Sequence, residues 1–218
     1  MLGIPAALLL FFGSTAIVPA PATGTRVDAL LPGILAVAIV ATGLVNLGIA
    51  TAYERSYGVL KRLGGSPLGQ NGLVAAKVAA ILVVEIGLVI LLVGLASVIL
   101  GWRPAGDLVW PLLAAAVALG TATFAGLGLA IAGGLRPEAT LVLANILFLV
   151  VLGIGGVLLP VADLPGAVGL SAGVFPPALL TETLRIGLGG DGDPGALLLL
   201  GVWAVAAVGL AIRTFRWD

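Results

Sequence analysis

The chain has 218 residues, 61% of them hydrophobic and 9% charged, with a mean hydropathy of +1.26 and a formal net charge of +0. A soluble domain carries roughly a quarter charged residues, so this is the composition of an integral membrane protein, and zero net charge removes the case for nucleic acid binding. The chain contains neither cysteine nor histidine, which excludes disulfides, thiol catalysis and thiolate metal sites and removes the usual general base and commonest metal ligand.

Six apolar segments meet or approach the roughly 20 residues that a helix needs to cross the hydrocarbon core. They are Leu2 to Val18, Ala29 to Ala52, Gly72 to Leu100, Leu108 to Leu135, Ala139 to Val161 and Ala196 to Ile212. These are continuous apolar runs, not the ten-residue alternations of a β-barrel. The expected fold is all-α: one polytopic domain over residues 1–218, with six transmembrane helices. With both termini inside, cytoplasmic segments hold Arg55, Lys61, Arg62, Lys77, Arg136, Arg213 and Arg216, against Arg26, Arg103 and Arg185 outside, the direction of the positive-inside rule. Trp102 and Trp110 flank one connection and Trp217 follows the last span, positions where amphipathic rings settle at the interface.

Met1 stands almost inside the first segment, with no basic residue before Arg26. Ala20 and Ala22 fit a signal-peptide cleavage site, but a signal peptide normally opens with a positively charged region. The expectation is a genuine first span with a missing or very short cytoplasmic lead.

Between the second and third spans, residues 54–68 read ERSYGVLKRLGGSPL. Glu54, Arg55, Lys61 and Arg62 crowd into this stretch of a chain that elsewhere avoids charge. The plain reading is a topology anchor. The segment also specifies shape: acid near the start and base near the end complement a helix dipole, and Tyr53, Tyr57 and Leu60 recur at helical spacing. Gly64-Gly65 and Pro67 then supply a stop. A short amphipathic helix over about residues 54–63 is expected at the cytoplasmic surface.

Glu85 lies thirteen residues into the third span, where a carboxylate costs on the order of 3 kcal/mol on insertion scales. Lys77 is about 12 Å away along the helix, too far to pair. Glu85 is then either a proton carrier or substrate contact, or it is protonated or buried against polar groups such as Asn46 or Asn145. In the fourth span Ala114, Ala118, Ala122, Gly126, Ala130 and Gly134 form a stripe that lets backbones approach closely, within the chain or at a dimer contact. Residues from about 162 to 195 are too broken by Pro and Gly to span, and Ala178 to Leu188 reads as a short helix lying at the outer surface with Leu180, Leu184 and Leu188 on apolar neighbours. Gly189 to Asp193 lacks the spacing and terminal Glu of a calcium loop and reads as an exposed turn.

Glu54-Arg55, Gly58 to Leu63 and Ser66-Pro67-Leu68 resemble the cytoplasmic signature of type-2 ATP-binding-cassette exporter permeases, the group that contains daunorubicin-type drug exporters. Leu31 to Ala36, Leu159-Pro160, Leu164-Pro165-Gly166, Pro176-Pro177 and Leu184-Arg185 are similar to that family in the same order. The resemblance implies that the 54–63 helix is a coupling helix seated in a groove of a separate cytoplasmic ATPase. Glu54, Arg55, Gly58, Lys61, Arg62, Ser66 and Pro67 would form that contact. It implies a permease that works as a homo- or heterodimer in a bacterial cell membrane and moves a drug, lipid or glycoconjugate outward.

The chain itself has no G-x-x-x-x-G-K-[ST] stretch to cradle phosphates. ATP and Mg would therefore be bound by the partner subunit, with no cofactor in this chain. The alternative is an ion-gradient-driven transporter using Glu85, for which inverted repeats and a discontinuous span are expected; no clear repeat is visible. A membrane enzyme, without His, Cys or clustered carboxylates, has little to work with.

Overall fold

The computed structural model describes residues 3–15, 24–63, 69–104, 106–154 and 173–214. Among them every regular element is helical: α1 (Gly3–Ser14), α2 (Arg26–Val40), a π-helical segment (Ala41–Leu47), α3 (Gly48–Ser56), α4 (Val59–Leu63), α5 (Gly69–Ile99), α6 (Trp110–Gly134), α7 (Pro137–Ile154), α8 (Pro176–Gly187) and α9 (Gly195–Thr214). Four continuous helices are long and apolar enough to cross a bilayer: Arg26–Ser56, Gly69–Ile99, Trp110–Gly134 and Gly195–Thr214. Two shorter apolar helices, Pro5–Ser14 and Pro137–Gly153, lie where the first and fifth spans are expected. The chain is a multi-pass, all-α membrane bundle.

α6 is the hub, packing against α2, α3, α5, α7, α8, α9 and the π-helical segment. Lipid tails are as apolar as the helices, so backbone proximity rather than hydrophobic burial holds such a bundle together. The closest approach is glycine on glycine. A Cβ on Gly128 of α6 would lie 2.6 Å from Gly43 O and 2.9 Å from Leu44 O. Gly43 in turn abuts Phe124 and Ala125, and Gly48 abuts Gly128. Gly43 lies within the π-helical segment and Gly48 directly follows it, so the two glycines that meet α6 stand in and next to the stretch of i→i+5 bonding. The expected small-residue stripe divides. Gly126 meets the backbone of Ala207 and Val208 in α9 and Ala130 is buried, whereas Ala114 and Gly134 are exposed.

The end of the bundle where α2 and α6 begin is tied by hydrogen bonds. Thr25 and Asp28 form a capping box at the start of α2, and the other Asp28 oxygen, Oδ1, accepts from Trp102 Nε1 at 2.7 Å. Trp102 is accordingly buried (4% exposed), while Trp110 keeps the exposed position expected of an interfacial ring (63%). Val109 N donates to Gly187 O at 3.0 Å, joining the start of α6 to the end of α8.

α8 corrects one expectation. Leu180, Leu184 and Leu188 are buried as anticipated, but the helix does not lie flat at the surface. Gly187 sits on Leu113, Leu180 on Gly120, and Pro176 and Pro177 share a cavity wall with Phe124 and Leu127. These contacts run α8 antiparallel to α6, from the middle of that span to its N-terminal end. A helix starting at that depth needs its first N–H groups satisfied without water. Pro176 and Pro177 have none to satisfy, and Ala178 N and Leu179 N both donate to Phe175 O, at 3.1 and 3.2 Å.

Gly128→Ala should lower thermal stability by about 1–3 kcal/mol, the usual cost of overpacking, because its Cβ meets backbone that has no rotamer to yield. Gly87→Ala, which meets nothing within 4 Å, should be neutral or stabilising. Thermal unfolding of the two purified variants in detergent checks this; equal melting of Gly128→Ala and wild type would contradict the contact.

Candidate functional site

The charged segment after the second span does not form one helix over 54–63. The second span runs on through Ser56, turns at Tyr57 and Gly58, and restarts as α4. Gly58 has φ +71°, a backbone conformation that side chains disfavour; its N–H closes on Arg55 O at 2.9 Å, and Tyr57 N on Tyr53 O at 2.9 Å. Glu54 therefore stands at the end of a helix, where the dipole disfavours an acid. It is offset by Lys77, whose Nζ lies 2.6 Å from Glu54 Oε2. That ion pair joins the C-terminal end of α3 to the N-terminal part of α5. Beyond Lys77, α5 runs a further 22 residues to Ile99, roughly the 30 Å depth of the hydrocarbon core.

Arg55 also faces inward. Its Nη1 donates to Gly133 O and its Nη2 to Leu135 O, two carbonyls at the C-terminal end of α6. The last carbonyls of a helix have no intrahelical donors, and a guanidinium supplies them in a fork. Glu54 and Arg55 thus clamp the second span to the third and fourth.

The remainder of the cluster points out. Tyr53 and Tyr57 share a face as expected, with ring centroids 6.1 Å apart, but Leu60 does not join them, because the turn at Gly58 intervenes. Leu60 is fully buried against Leu47, Leu73, Val74 and Ala211, seating α4 on the base of the bundle. Tyr57 is 74% exposed, and Val59, Lys61 and Arg62 are exposed with it. Among the described residues Lys61 and Arg62 have no ion-pair partner. Gly58 is half-buried. Ser66 and Pro67 lie outside the described residues.

Glu85 is fully buried, and its partner is neither Asn46 nor Asn145. Asn46 sits half-buried in the π-helical segment, and exposed Asn145 turns back on its own helix, Nδ2 donating to Leu141 O at 2.7 Å. Glu85 Oε2 instead meets Thr121 Oγ1 of α6, while Thr121 Oγ1 is also 2.7 Å from Val117 O. A hydroxyl carries one proton and cannot donate to two acceptors. Both contacts are hydrogen bonds when the carboxyl is neutral and supplies the second proton. Glu85 Oε1 has no partner among the described residues. Sequence reading missed Thr121, although it stands near the middle of its span as Glu85 does in the neighbouring one.

Asp191 and Asp193 occupy an exposed turn in which Asp193 Oδ1 accepts from Gly195 N at 2.8 Å, capping α9.

Comparison with known proteins gives one family match: the model described as ABC-2 type transporter, over residues 1–188. No curated protein matches the chain.

The pairing predicts a graded response in the span interior. Thr121→Val strands a buried carboxyl and should cost about 1–3 kcal/mol, whereas Glu85→Gln, whose amide still donates to Thr121 Oγ1, should cost less than about 1 kcal/mol. Melting temperatures of the purified variants decide it. Greater damage from Glu85→Gln than from Thr121→Val would show that the carboxyl acts charged.

Proposed function

Since the chain belongs to the ABC-2 type transporter family and is a membrane permease of that type, we propose that it is the membrane-spanning subunit of an ATP-driven exporter in a bacterial cell membrane. ATP and Mg are held by a separate cytoplasmic ATPase subunit, and two permease subunits, alike or different, enclose the pathway. The cargo is hydrophobic or amphipathic, a drug, lipid or glycoconjugate of the daunorubicin-exporter kind. The full count of six spans, with both termini inside, belongs to the same reading.

The observation that carries the proposal is the division of labour in residues 54–62. Glu54 and Arg55 are occupied by partners on α5 and at the end of α6, while Tyr57, Val59, Lys61 and Arg62 are presented outward on a turn and short helix seated by Leu60. Tyr and Arg are residue types that protein interfaces favour. Force applied to α4 passes through Leu60 into the base of the bundle, and through the Arg55 and Glu54 clamps into α6 and α5. Nucleotide-driven closure of the ATPase would thereby reach three spans at once. Ser66 and Pro67 complete the contact in this proposal. Glu85 acts in assembly, held by Thr121, with no second buried acid among the described residues to form a proton relay.

Arg62→Glu and Lys61→Glu should insert and fold as wild type, because neither side chain is used internally. They should reduce co-purification of the ATPase at least several-fold, since like-charge juxtaposition at an interface costs several kcal/mol. Retained binding and retained substrate-stimulated hydrolysis in both variants would sink the coupling role.

A further inference from the structure

A void beside α6 breaks the close packing of the bundle. A cavity of about 270 Å³ lies between the π-helical segment, α6, α7, the first residues of α8, and α9, and every residue lining it is apolar. Phe124, Leu147, Val151, Phe175, Pro177 and Trp203 are among its walls. Its single side-chain N–H is already used, as Trp203 Nε1 donates to Val174 O at 3.1 Å. The start of α8 adds no donor, because Pro176 and Pro177 have no N–H. A buried water requires two to four polar partners, so neither water nor an ion has a place here.

The cavity is reached from the side. Val150 and Phe175 on its rim are exposed, and Leu147, Val151 and Trp203 are half-buried. α7 leans on α3 and the π-helical segment, while α9 runs along α6. Ile146 and Leu149 on α7 and Val202 on α9 are exposed apolar neighbours of the rim, so the opening is continuous with a surface suited to lipid. A second copy of the chain does not fit as occupant: a helix is about 10–12 Å across with side chains. A cavity of ~150 Å³ takes up benzene, and by that scaling this one accepts an alkyl segment of roughly ten carbons.

We propose that the cavity binds one acyl chain of a membrane phospholipid, entering laterally between α7 and α9. The bound chain lies against the start of α8. It supports the inner end of a helix whose outer end is fixed by Gly187 on Leu113 and by Gly189 on Gly106. The site recognises hydrocarbon by shape alone and makes no demand on the headgroup.

Bromine on an acyl chain quenches tryptophan fluorescence on contact. The full chain is reconstituted in vesicles of dibrominated or unbrominated phosphatidylcholine, and the Trp203 contribution is taken as the difference between wild type and Trp203→Phe. More than half of that contribution should be lost in brominated vesicles. Val151→Phe, which fills the cavity, should cut the loss at least threefold while melting no lower than wild type; Ile131→Phe serves if Val151→Phe fails to fold. Absence of quenching, or quenching that the filling variants leave unchanged, would overturn the site, since Trp203 would then meet surface lipid or none. Quenching by free 1-bromodecane but not by brominated phospholipid would overturn the lipid assignment.

Discussion

The guanidinium of Arg55 on the terminal carbonyls of α6 is the contact on which the arrangement of residues 54–62 depends. The last carbonyls of a helix end in a small negative pole, and Arg55 meets two of them, at Gly133 and Leu135, from another span. One side chain both completes the helix that forms the hub and fixes the direction in which the second span leaves the bundle. Its neighbour Glu54 does the equivalent for the third span through Lys77. The turn at Gly58 then releases the chain from the helix axis, so Val59, Lys61 and Arg62 face away from the protein while Leu60 turns back into it. Clamp and outward surface are produced by adjacent positions, and neither works without the break between them.

Above that clamp the bundle is held by a different kind of contact. In hydrocarbon no solvent drives helices together, and the π-helical segment meets α6 backbone to backbone through Gly43, Gly48 and Gly128. The N-terminal end of the second span returns to polar contacts, with Asp28 shared between its own helix start and Trp102. The second span is thus attached at three levels by three chemistries: a guanidinium fork at its C-terminal end, close glycines midway, and a carboxylate at its N-terminal end. An apolar cavity beside the same hub interrupts this packing.

The helical class and the position of most elements were legible in composition and run length, because a bilayer imposes both. The charged cluster was also legible as a place. What residues 54–62 do there was not, for a physical reason: Arg55 finds its acceptors 78 and 80 positions away, and local spacing carries no trace of them. The positive φ of Gly58 splits what periodicity reads as one helix, which placed Glu54 at a helix start instead of an end. Thr121 stayed hidden because a threonine in an apolar helix can satisfy itself on the carbonyl four residues back, and Asn46 and Asn145 drew attention by being more polar. The tilt of α8 depends on contacts with α6 that its own pattern does not encode, although its buried leucines were read correctly.

The central claim is that the turn and short helix at Tyr57–Arg62 form the face offered to the ATPase. The chain contains no cysteine, so single cysteines carrying a photoactivatable label can be placed without background. Tyr57→Cys and Arg62→Cys are compared with Arg136→Cys, an exposed position on the connection between α6 and α7, in membranes containing the ATPase subunit. The account predicts capture of the ATPase from positions 57 and 62, in yields that change with nucleotide. Capture from position 136 alone, with none from 57 or 62, would contradict it.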